Sequence, residues 1–129
     1  MPAKELTKIL YVEDEPDISQ VARLALETVG GFTIESCENG RVALEKGPSF
    51  EPDLVLMDVM MPEMDGPTAL VEMRNIASLS NVPVIFMTAK VQPSEIVEYK
   101  TMGAVDVIPK PFDPMTLPDQ VRQVWSSLD

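Results

Sequence analysis

The stretch of residues 54–66 constrains the fold of this chain more than any other. Its first four residues, LVLM, are apolar and lead directly into one carboxylate, Asp58, and then into a loop marked by Pro62 and Gly66. A short apolar run bounded by turn residues is typical of a strand buried on both faces, as in a parallel sheet between two layers of helices. Asp58 is then predicted to end that strand, at the edge where open α/β sheets bind ligands. Alternatively, Asp58 only caps the following turn.

Four further short apolar segments are predicted to be strands. They are Lys8–Val12, 32–37, 83–87 and 105–108. Alternating residues in the second of these segments and Asp106 in the last indicate outer positions in the sheet. Apolar residues at helical spacing predict five helices between and after the strands, at 17–29, 41–46, 67–77, 94–102 and a last segment ending at Leu128.

This alternation of strands and helices predicts a doubly wound α/β domain, with a five-stranded parallel sheet and helices on both faces. The pair Gly47-Pro48 is predicted to end the second helix, and residues 78–81 are predicted to form a loop. The length of 129 residues predicts a single domain, residues 1–129, with a core at about residues 8–128.

Charge and residue usage disfavour several classes of function. Lys and Arg number 10 against 21 Asp and Glu, and the net charge of −11 disfavours nucleic acid and anionic membranes as partners. The absence of histidine excludes His-based metal sites and Ser-His or Cys-His catalysis on this chain. The single cysteine, Cys37, lies in a predicted strand and is expected to be a buried, unreactive thiol. Neither a membrane span nor a signal peptide is evident, so we expect a cytoplasmic protein.

Polar side chains follow four of the predicted strands. They are Glu13, Asp14, Asp58, Thr88 and Lys110, which a parallel sheet brings to one edge. Three crowded carboxylates repel one another unless a cation joins them, and an all-oxygen cluster favours Mg²⁺. Lys110 adds a positive charge and Thr88 a hydroxyl, which suit an anion with several oxygens, such as a phosphoryl group. A carboxylate in such a site can act as the nucleophile toward phosphorus, and Asp58 is the candidate.

Four groups of residues, taken in order, carry a resemblance to a known family. They are Val12-Glu13-Asp14-Glu15, Met57-Asp58-Val59-Met60-Met61-Pro62 with Asp65-Gly66, Met87-Thr88-Ala89-Lys90, and Gly103-Ala104 with Lys110-Pro111-Phe112. On these residues the chain resembles a response-regulator receiver domain of the chemotaxis single-domain type. The resemblance implies a flavodoxin-like sheet of strand order 2-1-3-4-5. It also implies a signalling domain of a two-component phosphorelay rather than a conventional enzyme.

The resemblance implies a role for each acid of the site. Asp58 is the phosphoacceptor, and the donor is a phosphohistidine of a histidine kinase or of a phosphotransfer protein. Asp14, Asp58 and the carbonyl of Met60 ligate Mg²⁺ directly. Glu13 acts on the metal through a water molecule.

The resemblance also implies which groups contact the phosphoryl oxygens. Thr88 and Lys110 supply the side chains. The backbone N–H groups implied to assist them are those of Val59, Met60 and Ala89. The peptide bond between Lys110 and Pro111 is expected to be cis.

Two residues depart from the family pattern. Glu13 stands where Asp is more usual. Val107 stands three residues before Lys110, where the family usually has an aromatic switch residue. Because valine has one preferred rotamer and lacks both a large apolar face and a hydroxyl, it cannot make the usual aromatic movement. We therefore expect phosphorylation to shift the loop at Thr88 and the face of the fourth helix, with little change at Val107.

Three alternatives compete with the interpretation as a single-domain receiver. A Mg²⁺-dependent phosphatase with an aspartyl nucleophile needs a second acid two residues after it, where this chain has Met60. A flavodoxin-like FMN binder needs a loop that tolerates a phosphate after the first strand, whereas residues 13–16 are acidic. A receiver excised from a hybrid histidine kinase shares all the features named above, so that alternative stays open.

Overall fold

The computed structural model describes residues 4–128, so the ends of the predicted domain, residues 1–3 and 129, lie outside it. Five strands form one parallel sheet: β1 (Lys8–Val12), β2 (Thr33–Cys37), β3 (Leu54–Asp58), β4 (Val84–Thr88) and β5 (Asp106–Pro109). Their order across the sheet is β2-β1-β3-β4-β5, which confirms the predicted architecture. β2 and β5 form the two edges, as the sequence predicted for both.

Five helices connect and follow the strands: α1 (Pro16–Leu24), α2 (Gly40–Phe50), α3 (Gly66–Arg74), α4 (Pro93–Met102) and α5 (Leu117–Ser126). A proline in the first turn suits the start of α1, α3 and α4. The Asp65 side chain caps α3 by accepting the Thr68 N–H at 2.9 Å. α1 continues into a π-helical turn, Ala25–Val29, and a short 3₁₀ turn, Ala77–Leu79, enters the segment predicted as a loop.

The second helix is longer than the sequence predicts. Gly47 and Pro48 form a stop signal, but α2 runs through both to Phe50. Pro48 removes one backbone N–H close to the end of the helix, and packing outweighs that loss. Gly47 is buried so closely that an added Cβ would lie 3.0 Å from Leu79, and Phe50 packs against the core. The prediction that the helix ends before Gly47 is therefore wrong. The residue that follows the helix, Glu51, caps it in a left-handed conformation with φ 55°.

The core lies on both faces of the sheet. One buried cluster joins residues such as Leu10 and Val12 to α2, α3 and α4. The other joins Ile9 and Tyr11 to α1 and α5. We call these two sides the α4 face and the α1/α5 face. Every residue of β3 is buried, as expected for a central strand between two helical layers.

Cys37 ends β2 on the α4 face. The thiol is free and buried, as predicted. Burial raises its pKa to about 12, so the thiol stays protonated and unreactive at neutral pH.

Candidate functional site

Four strands deliver polar residues to one edge of the sheet. Glu13 and Asp14 directly follow β1, Asp58 ends β3, Thr88 ends β4 and Lys110 follows β5. The parallel register sets the ends of neighbouring strands level with one another at this edge. The predicted site residues therefore converge, because each lies at the carboxyl end of its strand.

Lys110 joins two of the carboxylates. Its Nζ atom lies 3.2 Å from Oε1 of Glu13 and 3.2 Å from Oδ1 of Asp58. The Glu13 side chain is completely buried, and the side chains of Asp58 and Lys110 are 5% and 18% exposed. Because removal of one partner would leave a buried charge unpaired, the three side chains restrain one another.

Glu13, Asp14 and Asp58 form a cluster that could hold a metal ion. Each offers one carboxylate oxygen, and these oxygens lie within 4.8 Å of one another. Asp14 is half-buried, and a groove of about 510 Å³ borders Glu13 and Asp14, so solvent reaches this side of the cluster. All three donors are hard oxygens, which suit Mg²⁺ better than the softer transition metals. Three acids beside one lysine also leave the cluster with excess negative charge.

Burial and mutual repulsion favour the protonated forms of two of the acids. The pKa of Glu13 rises to about 7, first because the group is buried and second because the charge of Asp58 repels it. Burial also raises the pKa of Asp58, although the Lys110 ammonium opposes that shift. Burial alone would lower the pKa of Lys110, but the charges of Glu13 and Asp58 outweigh it and raise that pKa. An added cation would relieve the repulsion that adds to the effect of burial.

The loop after Asp58 is bonded to the end of the neighbouring strand. The Val59 N–H donates to the carbonyl of Met87 at 3.1 Å, and the Gly66 N–H donates to the carbonyl of Val59 at 2.9 Å. A Cβ atom at Gly66 would lie 2.8 Å from the carbonyl oxygen of Asp58, so this close approach requires glycine. In this structure the Val59 N–H is bonded within the sheet, and the contact from Val59 to a phosphoryl group that the resemblance implied stays a prediction.

Met60 and Ala89 lie at the surface beside the site. Met60 is 64% exposed, and Ala89 is exposed as well. Both residues lie in loops that follow strand ends of the site, Met60 after β3 and Ala89 after β4. The metal contact assigned to the Met60 carbonyl and the phosphoryl contacts assigned to the N–H groups of both residues stay predictions.

Thr88 ends β4 with its hydroxyl already in a hydrogen bond. The residue is 2% exposed, and its Oγ1 accepts the Lys90 N–H at 3.0 Å. Its carbonyl accepts the Lys110 N–H at 3.0 Å, which joins the ends of β4 and β5. The peptide bond between Lys110 and Pro111 is cis, as expected. A movement of the Thr88 hydroxyl toward Asp58 would have to break its bond to Lys90.

The comparison with known families agrees with this geometry. The family model described as the response regulator receiver domain matches residues 9–122. The chain belongs to this receiver family. Within residues 4–128 of the receiver, no helix is both long enough and apolar enough to cross a lipid bilayer.

Curated relatives of the receiver are longer proteins. It is 42% identical over 108 residues to regulatory protein AtoC of Escherichia coli, a match that covers 84% of this chain and 23% of the relative. It is 37% identical over 120 residues to transcriptional regulatory protein CseB of Streptomyces avermitilis, covering 93% of this chain and 49% of the relative. The chain thus spans half or less of the length of these relatives.

Solved structures match the receiver over nearly their whole length. A chemotaxis response regulator of Vibrio cholerae superposes with a TM-score of 0.85 at 30% identity, covering 92% of this chain and 98% of that one. The signal receiver domain of a signal transduction histidine kinase from Syntrophus aciditrophicus gives a TM-score of 0.79 at 33% identity, covering 95% and 92%. Receivers of this fold therefore occur in more than one kind of protein.

In this receiver the core cluster beside Val107 contains two aromatic side chains. Val107 is half-buried on β5 and packs against the cluster of the α4 face. That cluster contains Phe86 of β4, which is aligned with Val107, and Tyr99 of α4. The rings of Phe86 and Tyr99 meet edge-on, with centroids 5.6 Å apart and planes at 84°. The two rings of this pair thus come from β4 and α4, and position 107 holds valine.

Sequence reasoning missed two residues beside the acids. The Glu15 N–H donates to Oε2 of Glu13 at 3.2 Å. Tyr11 is completely buried on the α1/α5 face, and among the described residues its hydroxyl has no hydrogen-bond partner. Burial, and then the charges of Glu13 and Asp58, raise the pKa of Tyr11, so both carboxylates act on the phenol. The spacing of two residues between Tyr11 and Glu13 is the signal that could have indicated this, because such residues share one face of a strand.

Proposed function

We propose that Asp58 is the phosphoacceptor of this receiver and that its phosphorylation requires Mg²⁺. The observation that carries the proposal is the Lys110 ammonium, 3.2 Å from Oδ1 of Asp58 inside a buried acidic cluster. An ammonium fixed beside a nucleophilic carboxylate can neutralise charge on the oxygens of an incoming phosphoryl group. Thr88, at the end of the next strand, offers a hydroxyl that can be redirected to the same group.

The phosphoryl donor that we propose is a phosphohistidine of a histidine kinase or of a phosphotransfer protein. One carboxylate oxygen of Asp58 forms a bond to phosphorus, and the bond between phosphorus and the imidazole nitrogen of the donor breaks. The leaving imidazole keeps the electron pair of that bond. The sequence contains no histidine, so the donor residue belongs to another segment or another protein.

The acids of the cluster fit Mg²⁺ in different ways. We assign Asp14, Asp58 and the carbonyl of Met60 as direct ligands and Glu13 as a ligand through water. Both carboxylate oxygens of Glu13 are already bonded, Oε1 to the Lys110 ammonium and Oε2 to a backbone N–H, which suits an indirect role. When bound, the ion supplies positive charge that offsets repulsion between the carboxylates and the phosphoryl group.

The receiver is proposed to act on protein partners rather than on nucleic acid. Its net charge of −11 would repel a polyanion. Relatives with names such as transcriptional regulatory protein are about twice as long as the matched segment, so that name describes more than a receiver. The downstream signal is proposed to pass through the loop at Thr88 and the face of α4.

A phosphatase with an aspartyl nucleophile is less well supported by the same site. Such an enzyme needs a second acid two residues after the nucleophile, and this position holds Met60, which is 64% exposed. We therefore propose a signalling domain that takes up a phosphoryl group and loses it by hydrolysis, rather than a conventional enzyme.

Incubation with acetyl phosphate and Mg²⁺ followed by intact mass measurement tests the central assignment. We expect an adduct of one phosphoryl group in the wild type and none in Asp58→Asn. Asp65→Asn is the matched control, because Asp65 is an exposed acid in the loop after Asp58, and asparagine preserves its capping bond to Thr68. An adduct that persists in Asp58→Asn would assign the phosphate to another residue.

A further inference from the structure

Tyr11 lies beneath the acidic site with an unused polar group. Its side chain is completely buried in the cluster of the α1/α5 face, and its hydroxyl has no hydrogen-bond partner within residues 4–128. A buried hydroxyl without a partner is unfavourable, whereas phenylalanine would fill the same space without that penalty. The Tyr11 hydroxyl is therefore free to bond a group that another state of the protein brings near it.

Strand geometry places Tyr11 on the same face as two of the acids. Side chains alternate along a strand, so Tyr11 and Glu13 both project from the α1/α5 face of β1. Tyr11 is aligned with Leu56 of β3, and Asp58 lies two residues beyond Leu56 on that face. The phenol thus projects from β1 one step behind the edge of the sheet, on the face that also carries Glu13 and Asp58.

Glu13 shares its charged hydrogen-bond donor, the Lys110 ammonium, with Asp58. Its Oε1 accepts from the Lys110 ammonium at 3.2 Å, and the same ammonium donates to Asp58 at 3.2 Å. A phosphoryl group on Asp58 would add negative oxygens that attract this ammonium away from Glu13. The completely buried Glu13 carboxylate would then lose a donor in a setting where an unpaired charge is strongly unfavourable.

We propose that Tyr11 is a positioning residue of the phosphorylated site: its hydroxyl donates a hydrogen bond to the Glu13 carboxylate when Lys110 moves to the phosphoryl group. The proposal rests on the proposed phosphorylation of Asp58. It gives the Tyr11 hydroxyl a hydrogen-bond partner in the phosphorylated state. It also gives Glu13 a replacement donor that keeps its carboxylate in place.

Binding of the phosphoryl mimic beryllofluoride, with Mg²⁺, to the wild type and to Tyr11→Phe tests the proposal. We expect binding to Tyr11→Phe to be weaker by about tenfold, as for the loss of one hydrogen bond to a charged group. Thermal melts of the free protein should show Tyr11→Phe to be as stable as the wild type or more stable, because an unpaired buried hydroxyl is removed. Ser36→Ala is the matched control, since Ser36 is aligned with Tyr11 on β2 and also has a buried hydroxyl oxygen without a partner. Its affinity for beryllofluoride should not change.

A spectroscopic measurement reports on the hydroxyl directly. The chain contains two tyrosines, so protein labelled with ¹³C at the ζ carbon of tyrosine gives two signals, and Tyr11→Phe assigns them. We expect the Tyr11 signal to shift when beryllofluoride and Mg²⁺ bind and to stay in place with Mg²⁺ alone.

The outcomes separate the two proposals. Failure of beryllofluoride to bind the wild type would refute the proposed function itself. Equal affinity of the wild type and Tyr11→Phe, with an unshifted Tyr11 signal, would overturn the positioning role and leave the phosphoacceptor assignment standing. A lower melting temperature of free Tyr11→Phe, with unchanged beryllofluoride affinity, would show that the hydroxyl serves the fold and not the site.

Discussion

Glu13 belongs to the acidic site and also affects the stability of the fold. Its side chain is completely buried, and its pKa of about 7 places its titration close to neutral pH. The charged form depends on Lys110 and on the Glu15 N–H for its hydrogen bonds. The sequence identifies Glu13 as an acid that follows a strand, but its degree of burial depends on packing by distant parts of the chain.

The first prediction concerns the pH dependence that Glu13 imposes on stability. Because its folded pKa, about 7, lies above the ordinary value of 4.5, the folded protein binds this proton more tightly than the unfolded chain does. The resulting stabilisation is complete below about pH 4.5 and is lost as pH rises through about 7. We expect the free energy of unfolding of the Mg²⁺-free protein to fall by on the order of 2 kcal/mol over that window through this group. Urea unfolding across the window measures it.

The Glu13→Gln variant is the control for this measurement. Glutamine fills similar space without titrating, so the decrease in stability with rising pH should become shallower. Asp58, whose pKa is also raised, acts in the same direction and will leave a residual slope. A slope as steep in Glu13→Gln as in the wild type would assign the pH dependence to other groups.

The second prediction concerns Mg²⁺. The ion should raise the melting temperature of the unphosphorylated protein, because it relieves repulsion within the cluster of Glu13, Asp14 and Asp58. At ten times the dissociation constant, the expected stabilisation is about 1.4 kcal/mol. Thermal melts with and without the ion measure it, and Asp14→Ala should lose most of the shift. An equal shift in that variant would argue against a metal site at these residues.

At the scale of elements, the strands follow the sequence more closely than the helices do. A strand that is buried on both faces needs a short, continuous run of apolar residues. β1, β3 and β4 can therefore be predicted from the local sequence pattern. Helix ends depend on contacts that local pattern does not contain. α2 continues past the stop signal Gly47-Pro48 because Gly47 packs closely on Leu79, and α1 continues into the π-helical turn Ala25–Val29.

The third prediction concerns Asp53, which links the start of β1 to the loop before β3. Its Oδ2 accepts the N–H groups of Thr7 and Lys8 at 3.0 and 2.9 Å, and its Oδ1 lies 2.8 Å from the Lys4 ammonium. We expect Asp53→Ala to lower the free energy of unfolding by about 1–3 kcal/mol, because two N–H groups lose their acceptor. Urea unfolding at neutral pH measures the loss.

A variant of the exposed partner separates the contributions at Asp53. The Lys4 side chain is 69% exposed, so Lys4→Ala should cost less than about 1 kcal/mol. Burial opposes ionisation of Asp53, but its hydrogen bonds to Lys4 and to the backbone outweigh burial and lower its pKa. Its contribution is therefore present above the ordinary pKa of 3.8 and is lost as pH falls below it. Equal losses of unfolding free energy in the two variants would show that the ion pair, and not the hydrogen bonds to the backbone, accounts for the stabilisation.

At the scale of the whole molecule, the topology of the sheet is what made the site predictable. Once the strands are taken as parallel, Glu13, Asp58, Thr88 and Lys110 must meet at one edge. The pairing among them could not be predicted, because the bridge from Lys110 to Glu13 and Asp58 depends on side-chain packing. The hydrogen bond from the Val59 N–H to the carbonyl of Met87 could not be predicted either, because sequence motifs do not specify how strand ends pair.

The fourth prediction concerns the response to phosphorylation. Beyond the residues that surround Asp58, including Tyr11, NMR spectra with and without beryllofluoride should differ mainly in residues 88–90 and in α4, with little change at Val107. The reason is that Thr88 must release the Lys90 N–H to turn toward Asp58, whereas the branched side chain of Val107 has one preferred rotamer. Coupling to a partner should then be limited to about 1–3 kcal/mol. A rearrangement centred on Val107, with the Thr88 loop unmoved, would contradict this account.

The two layers of the core give the site two sides with different access to the phosphoryl group. Asp58 is aligned with Met87, which belongs to the α1/α5 face, whereas Thr88 follows Phe86 onto the α4 face. A partner bound over α1 and α5 could therefore sense the added charge itself. A partner bound over α4 lies on the opposite face of the sheet from Met87 and could sense a displacement of Thr88. The first readout would be electrostatic, and the second would be mechanical and begin with a movement of the Thr88 hydroxyl.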